Sequence, residues 1–193
     1  MDFSDTLLGE LRQRIQDHRR RTDFSERIET ALYPPALAQD VREAERILAF
    51  KLVLLHFRLY TEVGNGGFGP GYGILGVGNG YVDADGRSLV DAHTFVSLIE
   101  RQSGRVWPAG MLPLCAWGSA VWSCIDCKSK EGAIWTQHEA GLTRTRHSLQ
   151  SWLEAWMAGT SLWEEMFDFE TIEVRNPFSG QPTKAKVRRA PKK

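Results

Sequence analysis

The sequence has no run of about 18 uninterrupted apolar residues, so no segment of it reads as a membrane-spanning helix. Its opening stretch, MDFSDTLLGELRQRIQDHRRR, contains no long apolar core and does not read as a secretory signal. Cysteine is scarce: Cys115, Cys124 and Cys127 are an odd set, which a secreted disulfide scaffold disfavours, so a reducing cytoplasm is the expected setting. Net charge is missing too, with 24 Lys and Arg against 24 Asp and Glu. The histidines (His18, His56, His93, His138 and His147) are scattered and show no metal-ligand spacing. There is no HExxH, no nucleophile elbow, no clear catalytic pair of carboxylates and no internal repeat. These absences lower the expectation of catalysis, and the reading is a protein that is not an enzyme and carries no cofactor.

What is present fits one domain. At 193 residues, with 42% hydrophobic and 25% charged residues, the chain can bury a generous core. Seven tryptophans are many for this length and serve either core or interface. The charge is unevenly spread. Lys184 to Lys193 hold six basic residues and no acidic one, which leaves 18 basic against 24 acidic elsewhere, a formal charge of −6. An acidic body argues against a broad nucleic-acid face and suits a basic partner.

Leu7, Leu8, Leu11 and Ile15 recur at helical spacing and predict an amphipathic helix capped by Ser4 or Asp5. A short helix is expected from Phe24 to Leu32, closed by Pro34 and Pro35. Leu37, Val41, Ala44 and Leu48 form a second stripe, and LVLLHFRLYTEV (52–63) is apolar nearly all round, which predicts a deeply packed helix. It stops at Gly64-Asn65-Gly66-Gly67, residue types that accept a left-handed backbone. Residues 64–80 carry nine glycines, with Ile74 to Val77 as a candidate strand. A helix follows from Ser88 to Arg101, with Val90, Phe95, Leu98 and Ile99 expected inward. Strands are predicted over 112–117, 120–127 and 133–137, as an antiparallel meander. Ser148 opens a helix bearing Leu149, Trp152, Leu153 and Trp156, and Leu162, Trp163, Met166 and Phe167 suggest another. The fold class is therefore α+β: N-terminal helices, a small, mostly antiparallel central sheet and C-terminal helices. The boundaries are a helical extension over 1–34, the domain over 35–168 and a polar extended tail over 169–193, basic at its end.

Three motifs invite chemistry. Gly64-Asn65-Gly66-Gly67-Phe68-Gly69 is glycine-rich, but it follows a helix rather than a strand, and no Lys-Ser or Lys-Thr pair comes after it. A P-loop is excluded, and a sharp backbone turn is the better account. Cys124-Ile125-Asp126-Cys127 lies in strand-like sequence rather than at a helix N-terminus, so structural thiols outweigh redox work. The three cysteines with His138 would complete a zinc set on paper. Asp83-Ala84-Asp85-Gly86 begins like a calcium loop, but its glycine comes too early, so it reads as a surface turn.

Ala44-Glu45 with Leu48 and Phe50, Leu59-Tyr60, and EVGNGGFGPGYGILGV at 62–77 together resemble the SUKH superfamily, the Smi–Knr cell-wall-assembly-regulator-like proteins. LPLCAWGSAVWSCID (112–126) resembles the family's central strand pair, with Trp117-Gly118 at the turn, and SLQSWLEAWMAG (148–159) resembles its closing helix. The resemblance spans residues 35–168. It implies one α+β domain without shared catalytic residues, and in bacteria an immunity protein that binds and neutralises a cognate polymorphic toxin, often a nuclease. The implied partner is a protein, with no membrane and no direct nucleic-acid contact. The alternative is an intracellular regulatory or scaffold module without a toxin, and a zinc- or thiol-dependent enzyme stands behind both. Asn65, Gly66, Gly67 and Gly73 are expected to set the loop backbone. Glu62, Phe68, Tyr72, Trp117 and Asp126 are the candidate partner contacts, with Phe68 and Tyr72 left open between packing and anchoring.

Overall fold

The computed structural model describes residues 3–24, 31–167, 169–175 and 180–188. Helix α1 (Phe3–Gln16) buries Leu7, Leu8, Leu11 and Ile15, the stripe its spacing predicts. The helix is already formed at Phe3, so Asp5 lies within its first turn and pairs with Arg58 at 2.7 Å rather than capping. The helix expected from Phe24 to Leu32 falls largely on residues outside the described set. Helix α2 (Ala38–Leu48) starts one residue after Leu37, which stays exposed, and buries Val41, Ala44 and Leu48. It also buries Glu45, whose carboxylate accepts the Leu52 N–H at 2.9 Å and pairs with Lys51 at 2.8 Å. Helix α3 (Leu54–Arg58) continues into a π-helical turn, Leu59–Val63. The expected all-round burial holds for His56, Leu59, Tyr60 and Val63, but Leu54 in the first turn is 74% exposed.

The glycine-rich stretch is interior. All residues from Val63 to Gly71 are buried. Ile74 to Val77, expected as a strand, is irregular backbone. It nevertheless runs beside the sheet, because Tyr72 N–H donates to Ala116 O at 3.0 Å and Leu75 N–H to Leu114 O at 2.8 Å.

Helix α4 (Leu89–Gln102) opens with a capping box formed by Ser88 and Asp91. Its buried face is Leu89, Ala92, Val96 and Glu100, not the expected Val90, Phe95, Leu98 and Ile99. Phe95 and Leu98 are 37% and 48% exposed. The sheet side of α4 instead takes small Ala92 and a glutamate whose charge is met by Arg105 at 2.6 Å and by Gln137 at 3.0 Å.

Four strands follow: β1 (Met111–Gly118), β2 (Val121–Asp126), β3 (Ala133–His138) and β4 (Gly141–Ser148), paired antiparallel in that order. The meander has one strand more than expected. In β4 the sequence Thr143-Arg144-Thr145-Arg146 is half-buried or exposed, so no apolar alternation marks it. Trp122 pairs with Gln137, and Ser123 with Thr136, so these pairs stand on opposite faces. The Gln137 face meets α4 through Glu100. The Ser123 face meets α5 (Leu149–Met157), which buries Trp152, Leu153 and Trp156, and the short α6 (Leu162–Met166), whose Met166 sulfur lies 3.8 Å from Ser123 Oγ. Helices on both faces of an antiparallel sheet make a single α+β domain.

The segment after Asp168, expected to be irregular, includes two strands, β5 (Phe169–Arg175) and β6 (Pro182–Arg188), paired with each other. Their register sets Glu173 opposite Lys184 and Thr171 opposite Lys186. The β-branched residues Thr171, Ile172 and Val174 in β5 supply the strand propensity that the polar composition hides. Among the described residues no helix is long and apolar enough to cross a membrane.

Candidate functional site

Asn65 joins three segments. Its N–H donates to Pro34 O at 3.1 Å, and its carbonyl accepts the Tyr81 N–H at 2.9 Å. Its side chain pairs with Val77 like a strand, Oδ1 accepting Val77 N–H and Nδ2 donating to Val77 O, each at 2.9 Å. Gly66, Gly67 and Gly73 have φ of 83°, 75° and 101°, where glycine is favoured. A Cβ at Gly66 would lie 2.5 Å from Ile74 O. At Gly67 it would lie 3.2 Å from the Tyr33 ring and 3.3 Å from Ala31 O. Gly67→Ala is expected to lower stability by about 1 kcal/mol, mainly through its left-handed backbone. Denaturant unfolding checks this, and an unshifted midpoint contradicts it.

The loop positions a cleft of about 690 Å³ beside it. One wall is Tyr72, stacked on Phe24 with ring centroids 4.4 Å apart. The second is α4, through Phe95, Val96 and Ile99, and Trp122 and Gln137 come from the sheet. The turn Tyr81–Arg87 and the β1–β2 turn form the rest of the rim. In the first of these turns, Asp83 Oδ1 accepts the N–H groups of Asp85 at 3.0 Å and Arg87 at 2.9 Å. Arg87 Nε pairs with Asp83 at 2.8 Å, and its Nη2 with Asp85. Held this way, the guanidinium lies 4.0 Å from the Phe95 ring centroid and 5.7 Å from that of Trp122. Burial, with Asp83 adding to it, pushes the Tyr81 hydroxyl up to about 12, so it remains neutral.

In the β1–β2 turn Gly118 pairs with Val121, which leaves Ser119 and Ala120 as a two-residue loop with φ of 50° and 58°. A type I′ turn needs positive φ at both central positions. Each non-glycine residue there is strained by about 1 kcal/mol. Ala120→Gly is therefore expected to raise stability by about 0.5–1 kcal/mol, read as a higher melting temperature. A lower one contradicts the turn.

Of the expected partner contacts, Tyr72 lines the cleft. Phe68 is 1% exposed and packs in the core. Trp117, expected to be accessible at its turn, is 5% exposed and donates Nε1–H to Ser123 Oγ at 2.8 Å. The turn begins one residue later, which leaves Trp117 on the strand and pointing inward. Glu62 is held by Arg58 at 2.6 Å and Arg12 at 2.9 Å, and these charges hold its carboxyl below the usual range. Asp126 accepts the Lys128 N–H at 2.9 Å and closes a turn. None of these four lines the cleft. The sequence reading missed Tyr81, Arg87, Phe95, Trp122 and Gln137. The Asp-x-Asp-Gly-Arg string was the available signal, since an arginine beside two turn carboxylates marks a fixed cation.

Cys115, Cys124 and Cys127 are free thiols. Burial pushes all three upward, Cys127 to about 12, so they are protonated near neutrality. Among the described residues no three metal-binding side chains converge, and His138 instead accepts the Ala140 N–H at 3.2 Å. No protein-family model matches the chain, and no curated protein matches its sequence.

Proposed function

We propose that the chain is a non-catalytic protein-binding domain, and within that class a SUKH-type immunity protein that binds and neutralises a cognate polymorphic toxin in the cytoplasm. One observation carries the binding part. The aromatic cleft does not end at its mouth: Phe95 at the lip is followed three residues later on α4 by exposed Leu98. Residues three apart share a helix face, so concave and convex apolar surface join. That pattern suits a macromolecular partner better than an enclosed substrate. The toxin assignment rests on the sequence resemblance and on the formal charge of −6 outside the basic terminus, which suits a basic toxin.

The test is affinity capture from the native cell followed by mass spectrometry, with Phe95→Asp alongside. The expected result is one specific protein, encoded beside this chain, whose binding falls at least about tenfold in the variant, as for loss of an aromatic anchor. Equal capture by the variant would remove the cleft from the interface. The association rate should also fall as ionic strength rises from about 0.01 to 0.15 M. A flat profile counts against the charge argument.

A further inference from the structure

We propose that the cleft is a socket for an indole or phenol side chain of the partner protein, carried next to a basic residue. This deepens the protein-binding reading above and rests on it. Three observations lead to it.

The first is shape. Tyr72, Phe95 and Trp122 wall a space of about 690 Å³, enough for a large ring and the residues flanking it. Rings pack against such walls offset or edge to face.

The second is an orphaned acceptor. Gln137 stands opposite Trp122 on the neighbouring strand, lines the cleft and is 5% exposed. Its Nε2 donates to Glu100 Oε1 at 3.0 Å, which fixes the amide orientation. Its Oε1 is buried and has no partner among the described residues. A buried acceptor without a donor is unfavourable, and a ring that brings an N–H or O–H relieves it once the amide turns toward the cleft. Tryptophan and tyrosine bring one, and phenylalanine does not.

The third is charge. Two carboxylates, Asp83 and Asp85, meet one guanidinium, so this rim keeps one net negative charge. Asp83 is fastened in its turn, whereas the Asp85 side chain is 71% exposed. A lysine or arginine beside the inserted ring would meet Asp85, within a body that is acidic overall.

The test titrates nitrogen-15-labelled full-length protein with the peptide acetyl-Gly-Lys-Trp-Lys-Gly-amide. Three further peptides carry 1-methyltryptophan, phenylalanine, or glutamate in place of both lysines. The tryptophan peptide is expected to shift the Trp122 indole and Gln137 side-chain amide resonances. The methylated and phenylalanine peptides should bind about tenfold more weakly, the equivalent of one hydrogen bond. The glutamate peptide should also weaken about tenfold at low salt. Gln137→Leu should abolish the preference for tryptophan over its methylated form. Should that variant fail to fold, Phe95→Asp at the surface should abolish the shifts instead. Equal binding of the methylated peptide, or shifts outside the cleft, overturns the socket. A protein captured from cells by a chain whose cleft ignores all four peptides overturns the socket alone and leaves the protein-binding reading standing.

Discussion

Asn65→Ala is expected to lower the stability of the domain by about 3 kcal/mol, although the residue does not itself line the cleft. Val77 is fully buried, and its N–H has the Asn65 carboxamide oxygen as its partner at 2.9 Å. Truncation strands that N–H at a desolvation penalty of about 1–3 kcal/mol and adds a small cavity. The Val77 carbonyl suffers less, because Gly80 N–H also donates to it at 2.9 Å. Asn65→Asp separates this account from a loss of bulk. One of its oxygens would keep the Val77 N–H, while the other would face the Val77 carbonyl unless protonated. Burial would raise that carboxyl above its unfolded value near 3.9. The aspartate variant should therefore come closest to wild type below about pH 4 and lose stability as pH rises through the raised value. Equilibrium unfolding at several pH values reads both effects, and a pH-independent deficit would contradict the paired carboxamide.

The second large effect lies at His56. The ring is fully buried, 4.8 Å from the Tyr60 ring centroid, and neither nitrogen has a partner among the described residues. Burial lowers its pKa from 6.5 to about 3. A depressed value means that the folded chain resists a proton that the unfolded chain accepts. Stability is therefore full above about pH 6.5 and drains away as pH falls toward 3. At pH 4.5 the loss from this group is about 2.5 kcal/mol. His56→Leu is expected to remove it, so the variant and the wild type should diverge below pH 6.5. Parallel acid-unfolding curves would show that the ring is protonated in the folded state. The variant should also gain about 1 kcal/mol near pH 7, because an unsatisfied polar ring has become a well-packed apolar side chain.

What the sequence made legible was local. The stripe in α1 and the capped start of α5 followed from spacing and from Ser148, and three strands followed from their apolar runs. The misses share a cause. The inner face of α4 depends on Glu100 meeting Arg105 and Gln137, and the last of these lies 37 residues away. The β4 strand has a Thr-Arg repeat in place of an apolar pattern, and β5 and β6 are defined by each other. The cleft is assembled from several separated segments, so Tyr72 could be nominated while Trp122, Phe95 and Gln137 could not. The glycine loop was readable as a turn. That it would be interior was not, because composition does not reveal which backbone groups will find partners.

The hydrogen bonds from Tyr72 and Leu75 to β1 also bear on how the chain avoids its neighbours. The border strand of a sheet offers a ready template for another molecule's backbone. Here that border is covered by a segment encoded about forty residues upstream, which can settle only once the hairpin exists. Should the ladder be built before that segment docks, there is an interval in refolding when its flank is bare. Substitutions that slow the loop's closure, Gly67→Ala among them, should lengthen that interval and raise the yield of fibril-like aggregates in concentrated refolding, even where the native structure is eventually reached.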